Sequence, residues 1–150
     1  MKSKILLKLN YHTYFFFILY FIIGILIYKD YGISFDENIN RTNGFVTLKY
    51  IVQLFNLDIN LNSFHKNIPN IFDYTDKEYG VVFDLPLAAL EVFFGIKESQ
   101  NIFFLRHLMT FIIFYISSIS FYFLCFKLFK DKTLSIIGFF FLILSPRIFA

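Results

Sequence analysis

At 150 residues, with 57% of them hydrophobic and 24 phenylalanines, the chain is more apolar than a soluble domain, which averages roughly 45–50%. Its net charge of +3 is small and its basic residues form no stripe, which excludes a nucleic-acid surface. A single cysteine, Cys125, excludes an internal disulfide and reads as a small buried hydrophobe.

The first element is an uncharged run from Leu9 to Tyr28, 20 residues between Lys8 and Lys29. As a helix it reaches about 30 Å, the thickness of a bilayer core. Lys2, Lys4 and Lys8 precede it and predict a cytoplasmic N-terminus. The run outlasts the usual h-region of a signal peptide and no small-x-small site follows, so an uncleaved anchor is expected. Asp36 and Glu37, in Ser-Phe-Asp-Glu-Asn, then emerge on the outer side, at the water–lipid boundary.

Ser34 with Glu37 reads as a capping box. Leu48, Ile51, Val52 and Phe55 fall at helical spacing, which predicts an amphipathic helix over about 34–56 lying along the membrane surface. Asn56 to Asp76, rich in Asn and Asp and holding Pro69, reads as irregular. Val81 to Phe94 is apolar but carries Asp84, Pro86 and Glu91, which predicts an interfacial or re-entrant helix rather than a crossing. A second uncharged run covers Leu108 to Phe126, and a third starts at Thr133 and meets Ser145-Pro146-Arg147. Lys127, Lys130 and Lys132 between them predict an inner loop. From Lys29 to Leu105 ten acidic residues face six basic ones, a weaker vote for the same orientation. The expected fold is an all-α membrane protein. Three spans (about 9–28, 108–126 and 133–150) form a multi-pass bundle, and a long outer loop, 29–105, carries amphipathic interfacial helices. The third run stops without an outer flank, so the chain is expected to be the N-terminal piece of a longer polytopic protein.

Each candidate site residue has two readings. Asp36 and Glu37 are a base at the boundary, or simply a helix start that favours the dipole. Asp84 fits an N-cap, and Glu91, on the same helix face, fits a wet surface. Arg106 and Arg147, near outer ends of spans, either snorkel or grip a lipid phosphate. His12, His65 and His107 are too scattered for a zinc motif. Asn40-Arg41-Thr42 is a weak sequon match.

Taken in order, the outer Asp36-Glu37 pair, Tyr79-Gly80-Val81-Val82-Phe83-Asp84-Leu85-Pro86-Leu87, Arg106-His107-Leu108 and Ser145-Pro146-Arg147-Ile148-Phe149-Ala150 form a pattern. The chain resembles the N-terminal part of bacterial multi-pass glycosyltransferases of the GT-C superfamily. The likeness is to the protein mannosyltransferase and lipid A aminoarabinose transferase branch. The resemblance implies a plasma-membrane enzyme that transfers a sugar, with inversion, from a polyprenyl-phosphate donor to a lipid, glycan or protein acceptor at the outer face. It implies Asp36, with Glu37 beside it, as the acceptor base, and Arg106 and, more loosely, Arg147 at the donor phosphate. It implies no metal or other cofactor in this branch, though some other GT-C enzymes hold a divalent cation at acidic residues. Two readings from other classes compete: a small non-catalytic membrane subunit, and part of a lipid flippase or transporter. Transporters place charges inside their spans, whereas the three runs here are clean.

Overall fold

The computed structural model describes residues 11–145, and among them the chain is helical without a strand. Five helices follow in order: α1 (Tyr11–Ile27), α2 (Glu37–Leu54), α3 (Asp84–Phe93), α4 (Ser99–Phe129) and α5 (Lys132–Ile143). A 3-10 turn at Leu61–Ser63 interrupts the long α2–α3 connection. The residues divide into two units. One joins α1 to the chain from Thr110 onward; the other is Lys29–Met109.

The first unit is built on aromatic rings. Phe17, Tyr20, Phe111, Tyr122, Phe139 and Ile143 form its core. Phe17 meets Tyr122 and Phe139 edge-on, with ring centroids 5.3 and 5.2 Å apart, the arrangement that ring quadrupoles favour. The outward faces are apolar too: Phe15, Ile18, Ile22 and Leu26 on α1, Ile113 and Ile116 on α4, and Phe141 on α5 are exposed. Serine hydroxyls in the middle of α4 are satisfied within the helix. Ser117 Oγ donates to the Ile113 carbonyl at 2.8 Å and Ser120 Oγ to that of Ile116 at 2.9 Å. Such a face needs no polar neighbour.

Among the described residues only α4, with 31, is long and apolar enough to cross a membrane; the described parts of α1, 17 residues, and α5, 12 residues, are apolar but shorter. The expected second span opens at Leu108, yet the helix starts at Ser99. Arg106 and His107 interrupt the apolar run without interrupting the helix, because both side chains meet carboxylates. The third run forms a helix only to Ile143, and 146–150 lie outside the described residues. Its start is set by Asp131, whose carboxylate accepts the Leu134 N–H at 2.9 Å.

The second unit has its own core: Phe45, Val46, Val52, Leu61, Ile68 and Ala88. Here α2 differs from expectation. It starts at Glu37 rather than Ser34, with Asp36 at the N-cap and no side-chain cap bond. Half of the capping box survives, since the Glu37 carboxylate accepts the Ser34 N–H at 3.4 Å. The buried face runs through Asn43, Gly44, Phe45, Val46 and Val52, while Phe55 is exposed. The reason is tertiary: α3 and the 56–76 segment cover the middle of α2 and supply the apolar partner assigned above to a membrane. That segment is irregular but anchored. Lys49 Nζ donates to the Ile68 carbonyl at 2.6 Å, and Tyr74 Oη to Asn43 Oδ1 at 2.5 Å.

α3 starts at Asp84, with Phe83 rather than Asp84 as its N-cap. Pro86 falls in the first turn, where N–H groups lack intrahelical partners. The helix stops at Gly95, whose φ of +66° suits glycine; the Ile96 N–H then reaches the Glu91 carbonyl at 2.9 Å, closing a Schellman turn.

α2 and α3 touch at Gly44. A methyl group there would overlap the Asp84 carbonyl oxygen and stand 2.8 Å from its carbon. Neither is a flexible side-chain end, so α3 itself must move. We expect Gly44→Ala to lower the unfolding free energy of the chain in detergent by about 1–3 kcal/mol, the usual cost of overpacking. Alanine's better helix propensity offsets part of it, up to about 1 kcal/mol. An unchanged or raised melting midpoint would show that the crossing is looser than drawn.

Candidate functional site

Three helices of the second unit bring charge to one place. Glu37 is the first residue of α2 and Asp84 the first of α3. Both carboxylates therefore stand where a helix dipole favours negative charge. α4 contributes Arg106 and His107. Arg106 Nη2 donates to Asp84 Oδ1 at 2.5 Å, and its Nε lies 3.7 Å from Glu37 Oε1. His107 Nε2 lies 3.4 Å from the same Glu37 oxygen, with the Tyr31 ring edge-on to the imidazole. Arg106 is only 4% exposed.

A second ion pair stands nearby in the sequence of the same helices. Arg41 of α2 donates through Nε to Glu91 Oε2 at 2.9 Å and through Nη2 to the Phe64 carbonyl at 3.0 Å. Its guanidinium lies over the Phe45 ring, 5.1 Å from the centroid. Glu91 is fully buried, and its Oε1 has no hydrogen-bond partner. Its expected place on a wet face is thus corrected: the helix face that carries Asp84 and Glu91 turns inward, and arginines meet both.

Burial pushes the Glu91 carboxyl above its ordinary value, while Arg41 and then Arg106 pull it back. The native state therefore holds this proton more tightly than the unfolded chain does. Its contribution to stability is full below 4.5, the ordinary value, and is lost as pH rises through the native one. We expect Glu91→Gln to flatten the fall of stability with pH above that point. A slope equal to that of the unaltered chain would contradict the assignment. His65 shifts downward, through burial and then the Arg41 charge, so its imidazole stays neutral at pH 7. The Thr42 hydroxyl donates to the Asn38 carbonyl and shares a hydrogen bond with His65 Nε2, each at 2.9 Å. The sequon threonine is thereby engaged inside α2.

Of the residues singled out by sequence, Glu37 and Arg106 come together. Asp36 is exposed and makes no capping bond. Arg106 faces carboxylates instead of open solvent. Arg147 lies outside the described residues. The Arg41–Glu91 pair and the part played by Asp84 are absent from any sequence motif, because the partners lie 50 and 22 positions apart. Among the described residues, no three His, Cys, Asp or Glu side chains gather as a metal-binding group. Comparisons with protein-family models, with curated proteins and with solved structures find no match.

Proposed function

We propose that the chain is the opening part of a multi-pass membrane glycosyltransferase of the GT-C kind. In this reading α1 and α5 cross the membrane beside α4, with the N-terminus and the Lys127–Lys132 turn inside and the second unit outside. The apolar outward faces of all three helices support the crossings, and the lysine distribution supports the orientation. Cysteines introduced at Asn62 and Lys130 test it: from outside intact cells, only the first should label. Labelling of Lys130→Cys alone would reverse the orientation.

The observation that carries the chemistry is the contrast within the acidic pair. Glu37 is held by Arg106, His107 and the Ser34 N–H, while its neighbour Asp36 is open to solvent. A fixed carboxylate beside a free one suits a positioned base. Asp36 takes the proton of an acceptor hydroxyl as that oxygen attacks the anomeric carbon from the face opposite the phosphate. The sugar–phosphate C–O bond breaks, and its electron pair leaves on polyprenyl phosphate. Arg106 and Arg147 are the cations for that phosphate; Arg106 meets it by exchanging a carboxylate for a phosphate oxygen.

A second reading has its own support. Arg106 is buried between two carboxylates, as in a structural clasp of a non-catalytic membrane subunit. Binding of a polyprenyl-phosphate sugar to the chain in nanodiscs separates the two. Saturable binding that phosphatidylglycerol does not displace supports the transferase. Binding no stronger than to empty discs leaves the subunit.

A further inference from the structure

Phe35 and Val82 are each 91% exposed, although both are large and apolar. Each stands two residues before a carboxylate that reaches Arg106: Phe35 before Glu37, Val82 before Asp84. Neither is on a loose segment. Around Phe35, the Glu37 N–H reaches the Ser34 carbonyl at 3.2 Å; around Val82, the Leu85 N–H reaches the Val81 carbonyl at 2.9 Å. The backbone is thus hydrogen-bonded across both positions, and the two side chains stand outside the Phe45–Ala88 core. One arginine thus ties two apolar tips to α4.

The position of that arginine says what the tips meet. Arg106 lies on α4, the one helix among the described residues long enough to cross a membrane, and the uncharged run begins two residues later, at Leu108. Two residues of helix are about 3 Å. A bilayer that covers this run has its headgroup boundary at the level of Arg106. That boundary accepts apolar and aromatic groups beside charged ones.

We propose that Phe35 and Val82 insert into the headgroup–acyl boundary of the phospholipid bilayer that α4 crosses, on the outer side, as two wedges fixed by Arg106. The occupant of this surface is lipid. The insertion holds Asp36, next to Phe35 in the chain, at the membrane surface, where a lipid-borne substrate is met. The proposal rests on the membrane reading of α4, and its test separates the two.

The chain has no tryptophan, so a single introduced indole is the only one present. Phe35→Trp, Val82→Trp and Ile116→Trp are placed in vesicles of phosphatidylcholine brominated either high or low on the acyl chains. Ile116 is an exposed residue within the uncharged run of α4 and reports whether that helix is in the bilayer. All three substitutions fall on exposed side chains and leave the cores untouched. For Phe35→Trp and Val82→Trp, the expected result is blue-shifted emission that loses its larger part to high bromines and little to low ones. For Ile116→Trp the low bromines quench more. Quenching of Ile116→Trp without quenching of the other two overturns the proposal and leaves α4 in the membrane. Blue-shifted but unquenched emission at Phe35→Trp or Val82→Trp overturns it too, since protein would then cover the tip. Failure of all three to quench removes the membrane reading and the proposal together.

Discussion

Replacing Arg106 by methionine is expected to cost the fold about 3–5 kcal/mol, the usual penalty for removing one partner of a buried ion pair. Methionine keeps most of the length and apolar stem but leaves the Asp84 and Glu37 carboxylates facing each other with no guanidinium between them. Both are buried, 8% and 9% exposed, so water replaces little of what is lost. Each is also the first residue of its helix, so their repulsion acts on the starts of α2 and α3 together. Arg106→Lys should fall between. An ammonium can keep Asp84 but lacks the fork that also reaches Glu37. The double variant Asp84→Asn, Arg106→Met should recover part of the loss, because it leaves one fewer unpaired charge. Denaturant unfolding of the four chains in detergent supplies the measurement. A single Arg106→Met variant as stable as the unaltered chain would mean that the guanidinium only snorkels.

Asp36→Asn should do the reverse: leave the fold alone and remove the chemistry. The Asp36 side chain is exposed and makes no cap bond, so its charge adds at most a small helix-dipole contribution to stability. Asparagine has the same shape and cannot take a proton. In the glycosyltransferase proposed above, transfer should fall by about 10²–10⁴-fold, the range of a general base, with donor binding and melting midpoint unchanged. Glu37→Gln gives the contrasting pattern. It weakens the contacts to Arg106 and His107, so stability and turnover drop together. If Asp36→Asn kept more than about a tenth of the rate, below the smallest contribution expected of a general base, the base would have to be sought elsewhere.

These two variants show why neighbouring acidic residues differ. By sequence, Glu37 looks like the capping partner of Ser34, and Asp36 like the more chemical of the two. The capping contact is present in part, through the Ser34 N–H. What the pair does next depends on α4, whose Arg106 and His107 take hold of Glu37 from 69 and 70 positions away, counting from the residue numbers. No local spacing encodes that. Nor does spacing reveal that Arg41 and Glu91 are partners, since each alone looks like a charge on a wet helix face.

What the sequence by itself determined is local. Runs of apolar residues mark the bodies of α1, α4 and α5, because a helix with no polar face has few alternatives. Glycine and asparagine decide where α3 and α2 end, since only residues tolerant of positive φ close those turns; Gly95 and Asn56 stand there with φ of +66° and +49°. The tertiary structure alone decided which face of α2 is buried, where α4 begins, and which charges are paired. Each depends on a partner far along the chain. Contact with α3 and the 56–76 segment outweighs the stripe that ends at Phe55. Two carboxylates at helix starts let α4 run on through Arg106, where isolated charges would have marked the end of a span. A buried charge is stable only when its counter-charge is already in place, and only the folded chain brings the two together.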